Sequence, residues 1–206
     1  MLFRSRVEAR GNWSVVLSGE GNDRITSSGL ASLVFAGSGN DSLDITGQAG
    51  IYSGGEGDDS FVIRGGADGK GGLFSQLVGG SGNDLYTIDT RSLAQGDGTQ
   101  FTYINNQGDA ATVDRLLFGG ISNAADLSFQ QLNSSDLAIG LSGSNRRVVL
   151  QNWYGDEAAR VDILQIDGGL SLRQADVQSL VQAWQGVSSG LLSQAQWTAT
   201  SQALWA

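Results

Sequence analysis

Four aspartates, Asp23, Asp41, Asp59 and Asp84, each close a short glycine-rich turn, written SGEGND, AGSGND, GGEGDD and GGSGND. A carboxylate at the end of a turn whose glycines let the backbone curl, so that several carbonyls point inward, offers the oxygen-rich surroundings a hard divalent cation requires. Ca²⁺ takes six to eight such oxygens, and the donor set is read accordingly. It comprises Ser18, Gly19, Glu20 and Gly21 with Asp23; Ala36, Gly37, Ser38 and Gly39 with Asp41; Gly54, Gly55, Glu56 and Gly57 with Asp59; and Gly80 and Gly82 with Asp84. Asn22, Asn40 and Asn83 precede three of the aspartates and are of a type that tolerates left-handed backbone geometry better than most.

The spacing says what must position these turns. The first three aspartates are separated by 41 − 23 = 18 and 59 − 41 = 18 residues, a period of two nonapeptides. Only one half of each period carries the aspartate; the other half offers Ser32 and Gly50 at the matching offset. Aligned on that period, Ile25, Leu43, Phe61 and Tyr86 form one apolar column and Val16, Val34, Tyr52 and Leu77 another, so two short strands per coil turn inward and two thin parallel sheets result. Stacking brings successive aspartates together, and their mutual repulsion opposes folding until a cation intervenes. Cations are therefore expected along one side only. The step from Asp59 to Asp84 is 25 residues, across RGGADGKGGLFSQ (Arg64 to Gln76), which predicts that the fourth turn stacks poorly on the third. On that register Asp41→Ala should do more damage than Asp84→Ala.

These nonapeptides resemble the RTX, or haemolysin-type, calcium-binding repeat G-G-x-G-x-D-x-U-x, over residues 9–90. The resemblance implies an all-β fold, a parallel right-handed β-roll loaded with Ca²⁺, on a secreted, extracellular bacterial protein exported by a type I secretion apparatus that reads the C-terminus. Ser18 and Ala36 depart from the first glycine of the pattern, which is tolerable where that residue contributes only a carbonyl.

Beyond Thr90 glycine thins out and alternation appears in DLSFQQL, DLAIGLS, RRVVLQNWY and VDILQID, read as antiparallel strands of a small β cap over residues 91–172. This stretch resembles the haemolysin-type calcium-binding related region; an ordinary β cap closing the open end of the coil is the alternative. Asp97, Asp109 and Asp114 are set aside as solvated turn carboxylates. Residues 173–206 are read as a C-terminal helix followed by the secretion signal: Ser171 and Gln174 look like a capping pair, Val177, Leu180, Val181 and Trp184 recur at helical spacing, and Gly186 ends the helix. The remainder reads as a polar, flexible tail, whose removal should leave folding intact and abolish export.

Composition narrows the function. Among 206 residues there are 21 acidic and 12 basic side chains, a net charge of −9 that disfavours nucleic acid and anionic membrane surfaces. There is no cysteine and no histidine, which removes thiolate sites and the usual general base. Gly186, Ser188 and Gly190 spell G-x-S-x-G without a histidine to take the proton, and Asp58 and Asp59, adjacent on a strand, face opposite ways. The chain therefore reads as non-enzymatic, without a membrane span. The alternatives are the tail of a hydrolytic enzyme, a small carbohydrate-active protein in its own right, or the end segment of a large adhesin. The strand-like WSVVLSG follows so soon after Met1 that an upstream domain is expected.

Overall fold

The computed structural model describes residues 4–65, 74–92, 100–108 and 111–205. Nine strands alternate between two layers: β1 (Arg6–Ala9), β2 (Val15–Glu20), β3 (Arg24–Ser27), β4 (Leu33–Ser38), β5 (Ser42–Ile45), β6 (Ile51–Glu56), β7 (Ser60–Ile63), β8 (Gln76–Ser81) and β9 (Leu85–Asp89). Odd-numbered strands pair in parallel with one another, and even-numbered strands likewise. The register is that of the two apolar columns. Ile25, Leu43, Phe61 and Tyr86 lie side by side in one sheet, and Val16, Val34, Tyr52 and Leu77 in the other. All eight are buried, and the Phe61 and Tyr86 rings stack with centroids 5.2 Å apart.

The strands beyond Thr90 continue this arrangement. They are β10 (Gln100–Asn105), β11 (Arg115–Gly119), β12 (Leu127–Gln131), β13 (Leu137–Leu141), β14 (Arg146–Leu150), β15 (Ile163–Ile166) and β16 (Ser171–Arg173). One sheet runs β1-β3-β5-β7-β9-β11-β15-β16 and the other β12-β13-β14-β10-β8-β6-β4-β2. Two helices follow, α1 (Gln174–Ser188) and α2 (Gln194–Leu204).

This topology corrects the expected all-β roll with an antiparallel cap and one helix: the chain is an α/β fold of two mostly parallel eight-stranded sheets with two helices. Antiparallel pairing is confined to β12-β13-β14 and β15-β16. The inward columns simply continue, Tyr86 through Leu116 to Leu164 and Leu77 through Ile104 to Leu150, so burial favours further parallel strands although the connections lengthen. The fourth turn also stacks in register, with Gly55 beside Gly80 and Phe61 beside Tyr86. The extra residues of the 25-residue step fall between β7 and β8, where 66–73 lie outside the described residues.

The C-terminal reading also changes. Ser171 belongs to β16 rather than to a capping box, and Gly186 lies inside α1, which ends at Ser188. What read as a flexible tail is α2, opened by a capping box between Ser193 and Gln196. Trp197 is fully buried, its ring edge-on to Trp184 at 5.1 Å and its indole N–H donating to the Ala125 carbonyl at 3.3 Å. Trp205 is buried as well. Helix α1 packs on β12 and α2 on the short 3-10 turn Ala124–Asp126, so the two together cover the end of one sheet. Trp197→Ala should therefore cost about 3–5 kcal/mol of stability in denaturant titration, and removal of everything after Gly186 should lower the midpoint further instead of leaving folding intact.

Candidate functional site: an aspartate ladder

Each glycine turn passes from an even-numbered strand to the following odd-numbered one. The backbone of one turn runs so close to the next that a Cβ on Gly37 would overlap the Gly19 carbonyl oxygen, and Gly37 sits at φ +117°. Gly55 over Gly37 and Gly80 over Gly55 repeat the same approach. Glycine alone satisfies both the contact and the dihedral, which explains its recurrence. The asparagines are not the left-handed residues; the positive dihedrals belong to the glycines at 19, 21, 37, 39, 55, 57, 80 and 82.

The turns are joined by two opposed side-chain ladders. In the first, each aspartate Oδ1 accepts the main-chain N–H of the aspartate one turn earlier: Asp23 N–H donates to Asp41 at 2.6 Å, Asp41 to Asp59 at 2.7 Å and Asp59 to Asp84 at 2.9 Å. Ser5 N–H donates to Asp23 at 2.5 Å. In the second, running the other way on the outer rim, Asn40 N–H donates to Asn22 Oδ1 at 2.9 Å, Asp58 N–H to Asn40 at 3.0 Å and Asn83 N–H to Asp58 at 2.7 Å. Asp58 is exposed and Asp59 buried, so the adjacent pair does face opposite ways.

The first ladder extends past the repeats. Asp84 N–H donates to Asp114 Oδ1 at 2.7 Å, and Asp114 N–H to Asp162 Oδ2 at 2.9 Å. Asp114, set aside from the sequence as a solvated turn carboxylate, is buried and sits next in line. The signal was present: Asp114 precedes Leu116, and Asp162 precedes Leu164, by the same two-residue offset that separates Asp23 from Ile25. Asp97 and Asp109 lie outside the described residues.

The second carboxylate oxygen of each repeat aspartate decides what the ladder can do. Oδ2 of Asp23, Asp41, Asp59 and Asp84 is buried and has no hydrogen-bond partner, although each side chain is no more than 2% exposed. An orphaned buried carboxylate oxygen costs free energy unless a proton or a cation meets it. Asp59 is accordingly pushed up to about 8, mainly by burial, against the Asp41 N–H that favours its charge and with the carboxylates of Asp84, Asp41 and Asp58 adding repulsion. Asp84 is pushed up to about 7, again chiefly by burial, with Asp114 and Asp58 contributing. Asp41 and Asp114 are shifted upward for the same leading reason.

Among the described residues no three acidic side chains converge on one point, so a cation here would draw most of its oxygens from the main chain. The carbonyl oxygens of Gly19, Gly37 and Gly55 lie close against the backbone of Gly37, Gly55 and Gly80 in the next turn. Part of the expected donor set is already engaged: the Ser38 carbonyl accepts Gly21 N–H and the Glu56 carbonyl accepts Gly39 N–H, both at 2.7 Å, leaving one lone pair on each. The carboxylates of Glu20 and Glu56 stand at exposed positions, away from the ladder. The unpartnered Oδ2 atoms are what a cation would meet here, with the four aspartates as its charged ligands.

At the matching positions the opposite turns carry no carboxylate. Ser32, Gly50, Ser75 and Thr102 stand where the aspartates would, two residues before Val34, Tyr52, Leu77 and Ile104. There Gly50 N–H donates to Ser75 Oγ at 3.2 Å, a hydroxyl in the carboxylate's place. The G-x-S-x-G string is no nucleophile elbow: Ser188 ends α1 and its hydroxyl donates to the Trp184 carbonyl at 2.7 Å. No helix among the described residues is long and apolar enough to cross a membrane. No protein-family model matches the chain, and no curated protein matches it.

The upward shifts fix the pH response of the cation-free protein. Between the ordinary carboxylate value of 3.8 and about 8 the folded state holds protons on Asp59 and Asp84 that the unfolded chain has released. Stability therefore falls as pH rises through that window and levels off above it. Denaturant midpoints in chelator at pH 5 and pH 8 should show the lower value at pH 8, and saturating calcium should reverse the order.

Proposed function

We propose that the chain is a calcium-binding module that folds when it meets calcium outside the cell, after export through a type I apparatus. The observation carrying this reading is the row of four buried carboxylate oxygens, one per turn and all on one side, that no group among the described residues satisfies. Magnesium fits poorly, because its tight octahedron and retained waters do not suit a wall of main-chain carbonyls. In a calcium-poor cytosol the carboxylates repel one another, the turns stay open and the chain remains threadable; external calcium then closes them. The nonapeptide resemblance supports export, and the absence of a histidine favours a binding module over an enzyme. An upstream domain would supply any catalytic or adhesive activity.

Circular dichroism at neutral pH should report loss of the repeat coil's strand signal in chelator, with the C-terminal strands and helices retained, and a cooperative gain as calcium reaches about 10⁻⁴–10⁻³ M, the range of extracellular modules. A spectrum indifferent to chelator overturns the reading. Within the row of four, Asp41 lies between two repeat aspartates, whereas Asp23 and Asp84 end it. Titration calorimetry should find Asp41→Ala losing more bound calcium than Asp23→Ala or Asp84→Ala.

A further inference from the structure

The ladder changes character at Asp114. Like the repeat aspartates, Asp114 receives the N–H of the preceding turn on Oδ1. Unlike them, its Oδ2 has a partner: Asn106 Nδ2 donates to it at 2.7 Å. The same nitrogen donates to the Arg160 carbonyl at 3.0 Å, while Asn106 Oδ1 accepts the Tyr86 hydroxyl at 2.9 Å. Two acceptors at the nitrogen and one donor at the oxygen fix the orientation of the amide. Asn106, Tyr86 and Asp114 are all buried.

The register explains why this happens at only one rung. Ile104 pairs with Leu77 and Asn105 with Val78, so Asn106 occupies the place of Gly79. The earlier turns carry Gly54, Ala36 and Ser18 there. In those turns the first residue approaches the aspartate without donating to it: a Cβ on Gly54 would overlap Asp59 Oδ2, and one on Gly79 would overlap Asp84 Oδ2. Even the Ser18 hydroxyl makes no hydrogen bond. Asparagine at this position reaches the carboxylate and brings two N–H groups.

We infer that the Asn106 amide does at the Asp114 rung what a cation does at the other four, so that this rung closes without metal and the row of calcium sites stops at Asp84. The inference deepens the calcium reading and rests on it. An amide supplies a partial positive charge and a fixed donor in place of an ion, and its own three hydrogen bonds leave no polar atom unsatisfied. The C-terminal end of the coil is thereby independent of calcium, while the four rungs toward the N-terminus are not.

The test is hydrogen exchange by NMR on the full chain, with and without chelator, beside calcium counting by calorimetry. In chelator the Asp84 amide, held by Asp114, should exchange at least about tenfold more slowly than the Asp23 and Asp41 amides. Asn106→Ala should remove that protection. Asn106→Asp should remove it in chelator, regain it in calcium, and bind one more ion than the parent chain. Equal exchange of all three amides in chelator by a parent chain that binds calcium overturns the inference, as does Asn106→Asp behaving like the parent. Failure of the calcium reading looks different, since the parent chain then takes up no calcium at all. In that event Asn106→Ala alone judges the lock, and unchanged protection of the Asp84 amide overturns it.

Discussion

Burial of one carboxylate per turn, always on the same side, is the constraint around which the coil is arranged. Each aspartate spends Oδ1 on the main chain of its neighbour, which ties the turns together, and leaves Oδ2 facing the interior. The arrangement is stable only when that second oxygen is neutralised. Glycines bring the carbonyls within reach of the neighbouring turn, the apolar columns hold the turns in register, and the acidic composition keeps the open chain from collapsing on itself. Close backbone stacking is common to both sides of the coil, since in the opposite turns a Cβ on Gly29 would overlap the Gly11 carbonyl oxygen and one on Gly47 that of Gly29; the buried carboxylates are what set the first side apart.

Much of this was legible in the sequence, for an identifiable reason. A strict period of eighteen residues leaves an unambiguous alignment, so the two inward columns and the charged side follow from residue offsets alone. What escaped was whatever broke the period. The 25-residue step suggested a poorly stacked fourth turn, yet a connection can absorb extra length without disturbing the strands on either side, and Tyr86 lies against Phe61. Beyond Thr90 the connections vary so widely that the same two-residue offset before Leu116 and Leu164 passed unnoticed. The four segments read as antiparallel do make antiparallel pairs, but β14 and β15 also join the parallel stack through β10 and β11, which alternation alone did not reveal. The end of the chain misled for another reason: α2 is only weakly amphipathic, and the buried tryptophans, Trp197 within it and Trp205 just after it, sit among small and polar residues.

The two hydrogen-bond ladders run in opposite senses. Aspartates accept from the turn before them, asparagines and Asp58 from the turn after. Every turn is therefore both donor and acceptor toward each neighbour, which fixes the spacing between turns from both edges of the loop. A single ladder would let successive turns tilt. With two, a tilt that shortens one set of bonds lengthens the other, and the stack stays straight enough for the apolar columns to remain in contact.

Because each repeat coil touches only the coil before and the coil after, resistance to pulling is shared out along the chain instead of being pooled. Tension on the N-terminus meets β1 and β2 first, the edge strands of their sheets. Once they part, the next coil becomes the edge in turn. Each such event frees the eighteen residues between successive aspartates, roughly 60 Å of extended chain. A protein tethered by this segment would yield in steps of similar length, and its weakest bond at any moment would be the outermost coil.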